Sequence, residues 1–251
     1  MVLLTNDDGY FSEGINILSR KLQTLGEIYI VAPDRERSAS SLSLSLHKPL
    51  RVKSAGEKTF AVSGTPADCV YMAIQKLLPR KPDLLISGIN HGPNLGQQDI
   101  SYSGTVAGAL QGTFLEIPSL AVSAISHPQE GFDFEFSADL IEKAAAYLLS
   151  NRWFSGVTLN INIPPPPIKG IKVTKLGQKR YNPEIISKSD PRDRTYYWIG
   201  TGNPQAIGDD ESDVMVVKEG YVSITPLQKD LTAHKVIEST ELHSLLGTVT
   251  K

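Results

Sequence analysis

Two neighbouring aspartates, Asp7 and Asp8, stand directly after a short apolar run and before Gly9. Adjacent carboxylates repel each other unless a proton or a cation intervenes. A hard divalent ion such as Mg2+ takes oxygen ligands, so the pair is a candidate cation site. Asp-Gly is also an ordinary turn dipeptide, and that plainer reading stays open. A second segment, Asp34-Arg35-Glu36-Arg37-Ser38, offers the Ser38 hydroxyl to a metal or a phosphate, or else is a solvated charged loop. A third, Ser87 to Gly96, carries three glycines among ten residues. Glycine permits backbone shapes that let amides converge on an anion, and Asn90 and Asn94 add neutral ligands or donors. His91 in the same segment reads as a solvated loop histidine. The fourth, Ser103-Gly104-Thr105-Val106-Ala107-Gly108, opens a helix with free amides and two hydroxyls at its positive end. That is an anion site, compatible with plain capping by Ser103 and close packing at Gly108 and Gly112.

Charge joins the four segments. Two aspartates carry about −2 and a bound Mg2+ carries +2, leaving a metal centre near neutral. A phosphate monoester dianion would then be stabilised by loop amides and a helix N-terminus without a lysine. Phosphate ester hydrolysis suits this arrangement, with a metal polarising a phosphoryl oxygen and acidifying a bound water.

The elements that must position these residues are legible as alternating runs and stripes. Val2 to Leu4 is a short buried strand, and Ile15, Leu18, Leu22 and Leu25 follow at helical spacing up to Gly26. Ile28 to Ala32 is a second strand. The alternation Leu42-Ser43-Leu44-Ser45-Leu46 predicts a further one. Thr65-Pro66-Ala67-Asp68 predicts a helix start with a capping box. Leu84 to Ile86 and Ser119 to Ser123 are strands, and Ala138 to Leu149 is a helix. Continuously apolar strands alternating with helices predict an α/β fold, a Rossmann-like three-layer core with a mostly parallel sheet. In such sheets ligands bind beyond the carboxyl ends of the strands, where all four polar segments lie. After the break at Pro164 to Pro167 the chain turns rich in β formers, Gly and Pro. The expected division is a core over 1–168, a β-hairpin extension making oligomer contacts over 169–229, and a helical tail over 230–251. His234 reads as a surface or interface residue.

The chain has 251 residues, 40% of them hydrophobic and 21% charged, which fits a soluble globule rather than a disordered segment. Its net charge of −2 argues against binding a nucleic-acid duplex through bulk positive charge. A single cysteine, Cys69, excludes an internal disulfide. The N-terminus lacks the basic start and long apolar run of a signal peptide, and no stretch is long enough to span a membrane, so a cytoplasmic location is expected. Walker A, GxGxxG and GxSxG patterns are absent, as is a compact zinc pattern. An adjacent acidic pair after the first strand also occurs in phosphate-sensing, receiver-like regulatory domains. Those are usually about half this length and need a lysine after the fourth strand that this chain lacks. Covalent aspartyl-phosphate catalysis of the haloacid-dehalogenase type uses a DxD pattern, whereas the acids here are adjacent.

The chain closely resembles the SurE survival-protein family, metal-dependent 5′-nucleotidases. The resemblance is carried by Thr5 to Gly9, Val31 to Ala39, Gly64 to Cys69, Ser87 to Asn90 with Gly92-Pro93-Asn94, Tyr102 to Val106 and Gly220 to Leu227, in that order and over nearly the whole chain. It implies a Rossmann-like core, a β extension and a C-terminal segment swapped between subunits of a homodimer or homotetramer. It implies one divalent metal ion per subunit, Mg2+ or Mn2+, on Asp7, Asp8, Ser38 and Asn90, with Asp7 and Asp8 catalytic. It implies phosphate contacts from Asn94, Ser103, Gly104 and Thr105, and Asn6 joins that substrate-binding set. The implied substrates are nucleoside 5′-monophosphates, with 3′-nucleotides and polyphosphate as further ones. Two segments depart from the family pattern. Ser41-Leu42 stand where members commonly have glycine and histidine, and Gly96 to Tyr102 is one residue longer than usual.

Overall fold

Short apolar runs and amphipathic stripes fold here into strands and covering helices. The computed structural model describes residues 1–151, 156–200, 202, 204–237 and 239. In chain order its elements are β1 (Val2–Thr5), α1 (Glu13–Lys21), β2 (Ile28–Pro33), β3 (Val52–Gly56), β4 (Thr59–Val62), α2 (Pro66–Met72), β5 (Leu84–His91), α3 (Gly96–Tyr102), α4 (Gly104–Phe114), β6 (Ser119–Ala124), α5 (Phe134–Ser150), β7 (Val157–Ile163), β8 (Ile171–Val173), β9 (Gln178–Arg180), β10 (Ile185–Ser189), β11 (Thr195–Ile199), β12 (Gln205–Ile207), α6 (Asp213–Lys218), β13 (Val222–Gln228) and α7 (His234–Ile237).

Nine strands form one sheet in the order β3-β4-β2-β1-β5-β6-β7-β13-β8. From β4 to β7 all neighbours are parallel. β3 on β4 and β13 on β7 are antiparallel. Successive side chains of a strand point to opposite faces, and both faces of this sheet are covered. Val2 and Leu4 therefore enter one core with Ile15 and Leu18 of α1 and Ile141 of α5. Leu3 enters the other with Val70 of α2 and Val106 of α4. That two-sided burial is why the central strands read as unbroken apolar runs, each fully buried leucine contributing about 2 kcal/mol.

The predicted capping box is present: Asp68 N donates to Thr65 Oγ1 at 3.1 Å and Thr65 N donates to Asp68 Oδ2 at 2.9 Å. The expected close approach of α4 to the sheet is present too. A Cβ at Gly108 would lie 2.8 Å from Ser87 Oγ, and one at Gly112 would lie 2.4 Å from Ser119 Oγ.

Four expectations are corrected. Residues 42–46 form no strand. The serines there bond locally and to α2 instead. Ser43 Oγ donates to Ser40 O, Ser45 N to Asp68 Oδ1 and Thr65 Oγ1 to Ser43 O, so side chains take the place of a ladder. The strand expected to stop at Ile86 continues to His91, with a bulge between Ser87 and Asn90 in its pairing with β6. Gly96 to Tyr102, expected as loop, is helix α3. The extension is smaller than 169–229, because β8 and β13 complete the main sheet. What remains outside that sheet is the hairpin β10–β11 and the pair β9–β12. Of the expected tail helix, α7 covers His234–Ile237, while 238 and 240–251 lie outside the described residues. His234 is exposed and its Nε2 lies 2.7 Å from Asp230 Oδ2.

Helix α1 meets β5 so closely that a Cβ at Gly14 would lie 2.4 Å from the carbonyl oxygen of Ile89. Backbone on both sides cannot yield without moving α1 or the strand that ends in Asn90. Gly14→Ala is expected to cost about 2–3 kcal/mol, roughly 5–10 °C in Tm for a chain of this size. A thermal melt checks this, and an unchanged Tm would mean that the α1–β5 contact is looser than described.

Candidate active site

Construction of the site starts at the carboxyl end of β1. Asn6 closes the turn that follows: Gly9 N donates to its Oδ1 at 3.2 Å, and its Nδ2 donates to Gly9 O at 2.9 Å and Ser12 Oγ at 2.7 Å. Asn6 is fully buried and its amide is committed to this turn. It is not among the residues lining the cleft. The tightness of that turn turns Asp7 and Asp8 outward together. Both line a cleft of about 1260 Å³ at the sheet edge, with Ser38, Asn90, Asn94 and Ser103. Four segments far apart in sequence thus meet, as the strand-end rule requires.

Asp7 is 6% exposed. The Thr105 hydroxyl donates to its Oδ1, which leaves Oδ2 for another partner. Its main-chain oxygen accepts from Arg37 N at 2.7 Å, fastening the Ser38 loop against β1. Burial pushes the Asp7 carboxyl up to about 6, and the charge of Asp8 pushes the same way against the Thr105 hydrogen bond. Asp8 Oδ2 is buried and accepts no hydrogen bond, although His91 Nδ1 lies 3.1 Å away as an ion-pair contact. The Asp8 carboxylate raises the His91 imidazole above its ordinary pKa. Phe132 and Phe134 pack edge-on against that ring at 5.3 and 4.9 Å.

Asn90 Nδ2 donates to Gly92 O at 2.7 Å, so its amide oxygen is the group left over for a ligand. Ser38 lies exposed on the loop after β2, with its Oγ donating to Glu36 Oε1 at 2.6 Å. Among the described residues no group of three or more His, Cys, Asp and Glu could hold a metal. A cation at this place is therefore held by two carboxylates only if neutral oxygens such as those of Ser38 and Asn90 complete its shell. Two carboxylates side by side, one of them raised by burial, fit such a cation.

Across the cleft, Ser103 caps α4 by accepting from Val106 N at 3.0 Å. Gly104 allows the helix to reach Asp7, since a Cβ there would lie 2.7 Å from Asp7 Cβ. Thr105 is fully buried, with its hydroxyl on Asp7. Ser40, which the residue pattern did not single out, has a buried Oγ without a partner beside Gly104. Asn94 is locked by β7. Its N donates to Asn162 Oδ1 at 2.8 Å, and its carbonyl accepts from Asn160 Nδ2 at 2.8 Å and Asn162 Nδ2 at 3.0 Å. The alternation Asn160-Ile161-Asn162 was the signal for this, because buried asparagines on one face of a strand need partners. The far wall carries Phe11, Gln98, Asp99, Tyr102, Tyr181 and Pro183, of which Phe11, Tyr181 and Pro183 lie outside every motif.

An open, largely parallel α/β sheet with an acidic pair and a helix N-terminus at its carboxyl edge defines a class of protein that binds a cation and an anion side by side. Comparison gives the particular family. A model of the family described as "Survival protein SurE" matches residues 2–183, and the chain belongs to that family. It is 49% identical to a protein of Pelotomaculum thermopropionicum named 5'-nucleotidase SurE, over 98% of this chain and 95% of that protein. A protein of the same name from Haemophilus influenzae is 45% identical over 98% of this chain and 95% of its own length. The crystal structure of SurE protein from Aquifex aeolicus superposes with a TM-score of 0.83 at 41% identity, covering 97% of this chain and 99% of that one.

A carboxyl raised to about 6 holds its proton more tightly when folded than when unfolded. Its contribution to stability therefore falls as pH rises from about 4 to 6. A divalent cation binds only the deprotonated form, so below pH 6 it competes with the proton and loses about tenfold in affinity per unit. The rise in Tm on adding Mn2+ should be small at pH 5 and grow up to pH 7. Differential scanning fluorimetry across that range checks it, and a pH-independent rise would separate the cation from Asp7.

Proposed function

We propose that this chain removes the phosphate from nucleoside 5′-monophosphates with the help of one divalent cation, Mg2+ or Mn2+, held by Asp7, Asp8, Ser38 and Asn90. The observation that carries the reading is the meeting of a buried acidic pair and the start of α4 in one cleft. Relatives of 43–49% identity that bear the name 5'-nucleotidase SurE, over nearly their whole lengths, support it. They favour an enzyme over the receiver-like regulatory alternative.

A bound divalent ion supplies Lewis acidity to the phosphoryl oxygen and a lower pKa to a water. The chain's own residues do the rest. Thr105 holds Asp7 at Oδ1, which leaves Oδ2 to take a proton from an attacking water. The Thr105 hydrogen bond and a neighbouring cation favour the ionised form of that carboxyl, which is the form a general base needs. The Ser103 hydroxyl, the opening amides of α4 and the immobilised Asn94 face the anion, and the helix dipole favours its charge. Because these donors are fixed before substrate arrives, little reorganisation opposes the reaction.

No helix among the described residues is long and apolar enough to cross a membrane. We place the enzyme in the cytoplasm and assign subunit contacts to the extension, giving a homodimer or homotetramer. The hairpin β10–β11 supports this, since Tyr197, Ile199 and Ile185 share one face of a two-stranded sheet and are 67%, 77% and 61% exposed. Such an apolar face calls for cover.

Phosphate release from a panel of nucleoside monophosphates, with Mn2+ or Mg2+ and with EDTA, tests the activity. Metal-dependent release abolished by EDTA is expected, and no release with either metal would move the function to binding or regulation. Asp8→Asn should lose about a hundredfold or more in kcat while keeping its Tm and circular dichroism. Full metal-dependent turnover in the folded variant would overturn the site assignment. Static light scattering should return a multiple of the 27.4 kDa subunit mass, and a single-subunit mass would remove the oligomer role of the extension.

A further inference from the structure

We propose that Tyr181, which belongs to the extension rather than to the core, receives the base of the nucleotide, and that Asp99 is the positioning residue that holds its ring. This rests on the nucleotidase reading above and deepens it. The cleft, about 1260 Å³, is far larger than a phosphate needs. Its acidic end accounts for a cation and a phosphate. The ester's leaving group must then lie along the wall that carries Phe11, Tyr102, Tyr181 and Pro183. A wall of rings and proline suits a flat aromatic base and offers little to a second phosphate.

Among these residues Tyr181 is the one held by a built network. Its hydroxyl donates to Asp99 Oδ1 at 2.5 Å. Asp99 Oδ2 accepts from Lys179 Nζ at 2.5 Å and from Leu95 N at 3.3 Å. The Asp99 and Lys179 side chains are 10% and 13% exposed, so the pair is screened from solvent. Three consequences follow. The Lys179 ammonium cancels the charge of Asp99, so an anionic substrate meets no uncompensated carboxylate on this wall. The phenol has spent its proton on Asp99, which leaves the ring as its contact surface toward the cleft. The side chain is already ordered, so stacking costs it little rotamer entropy. The strand bearing Lys179 is joined to α3 independently, since Gln97 N donates to Gly177 O at 3.0 Å. The wall is thus registered on the core that carries the phosphate end.

The test compares the full-length enzyme with Tyr181→Leu, Tyr181→Phe and Asp99→Asn on adenosine 5′-monophosphate and on ribose 5-phosphate, which lacks the base. Tyr181→Leu should raise KM for the nucleotide about tenfold more than for the sugar phosphate, with kcat changed far less than KM. Tyr181→Phe keeps the ring and loses the latch. It should recover only part of that loss, and Asp99→Asn should show the same partial rise of KM for the nucleotide, whereas wild-type KM in Asp99→Asn would overturn its positioning role. An equal rise of KM on both substrates, or no rise, would overturn the assignment. Saturation-transfer NMR with adenosine reads the same contact without turnover. The base protons should receive saturation from the wild type and lose most of it with Tyr181→Leu. If no phosphate ester is turned over, the nucleotidase reading falls, and the adenosine signal alone decides for or against Tyr181. A signal absent in the wild type, or unchanged in the variant, decides against it.

Discussion

Two carboxylates on neighbouring residues, one of them 6% exposed, are forced together at the end of a fully buried strand. Left alone, burial opposes the ionisation of Asp7, and the charge of Asp8 adds to the penalty. The fold spends much of its local architecture on holding this arrangement. Asn6 closes the turn beneath it, Thr105 donates to Asp7, and Gly104 gives up a side chain so that α4 can approach. Strain of this kind is electrostatic rather than steric, and an incoming cation relieves it. On the proposed reading, affinity for a hard divalent ion would come from the tertiary structure, since an isolated Asp-Asp dipeptide in water would feel little of this repulsion.

How much of this was legible in the sequence follows from the range of the interactions. Strand β1, helix α1 and the capped start of α2 rest on local signals: an apolar run, a helical stripe, and Thr65 with Asp68 at capping spacing. The rule that ligands gather at carboxyl ends of parallel strands then brings Asp7, Asp8, Ser38, Asn90, Asn94 and Ser103 to one edge from the sequence alone. The failures share one cause. Leu42 to Leu46 alternate like a strand, but Asp68 and Thr65, more than twenty residues away, offer the same backbone better partners. The Asn6 amide beside the two aspartates is likewise claimed by Gly9 and Ser12, a commitment its spacing does not announce. In each case a side chain bonding to backbone decided the outcome, and spacing alone does not weigh that competition.

The far wall of the cleft was illegible for a different reason. Tyr181, Pro183 and Ile199 lie more than 170 residues beyond Asp7 and Asp8, in a stretch whose strands read only as β formers. Nothing in their local pattern points to α3. The pairing of Asp99 with Lys179 exists only after the extension has folded back on the core. Composition rightly marked a change of character after Pro167, but it could not say that β8 and β13 return to the main sheet while β9 turns toward the site.

That return sets the relation between the two ends of the cleft, and a single buried carboxylate carries much of it. Asp213 is fully buried, and its Oδ1 accepts from Gly177 N and Val214 N while Oδ2 accepts from Gly96 N, each at 2.8 Å. One side chain thus ties together the first residue of α3, the chain entering β9 and the first turn of α6. Three amide donors on one carboxylate offset its desolvation and fix direction as well as distance. With both walls referred to the same anion, the phosphate end and the ring-lined end cannot drift independently. Such fixed spacing is the preorganisation that an ester with a charged head and a flat apolar tail requires of its binding cleft.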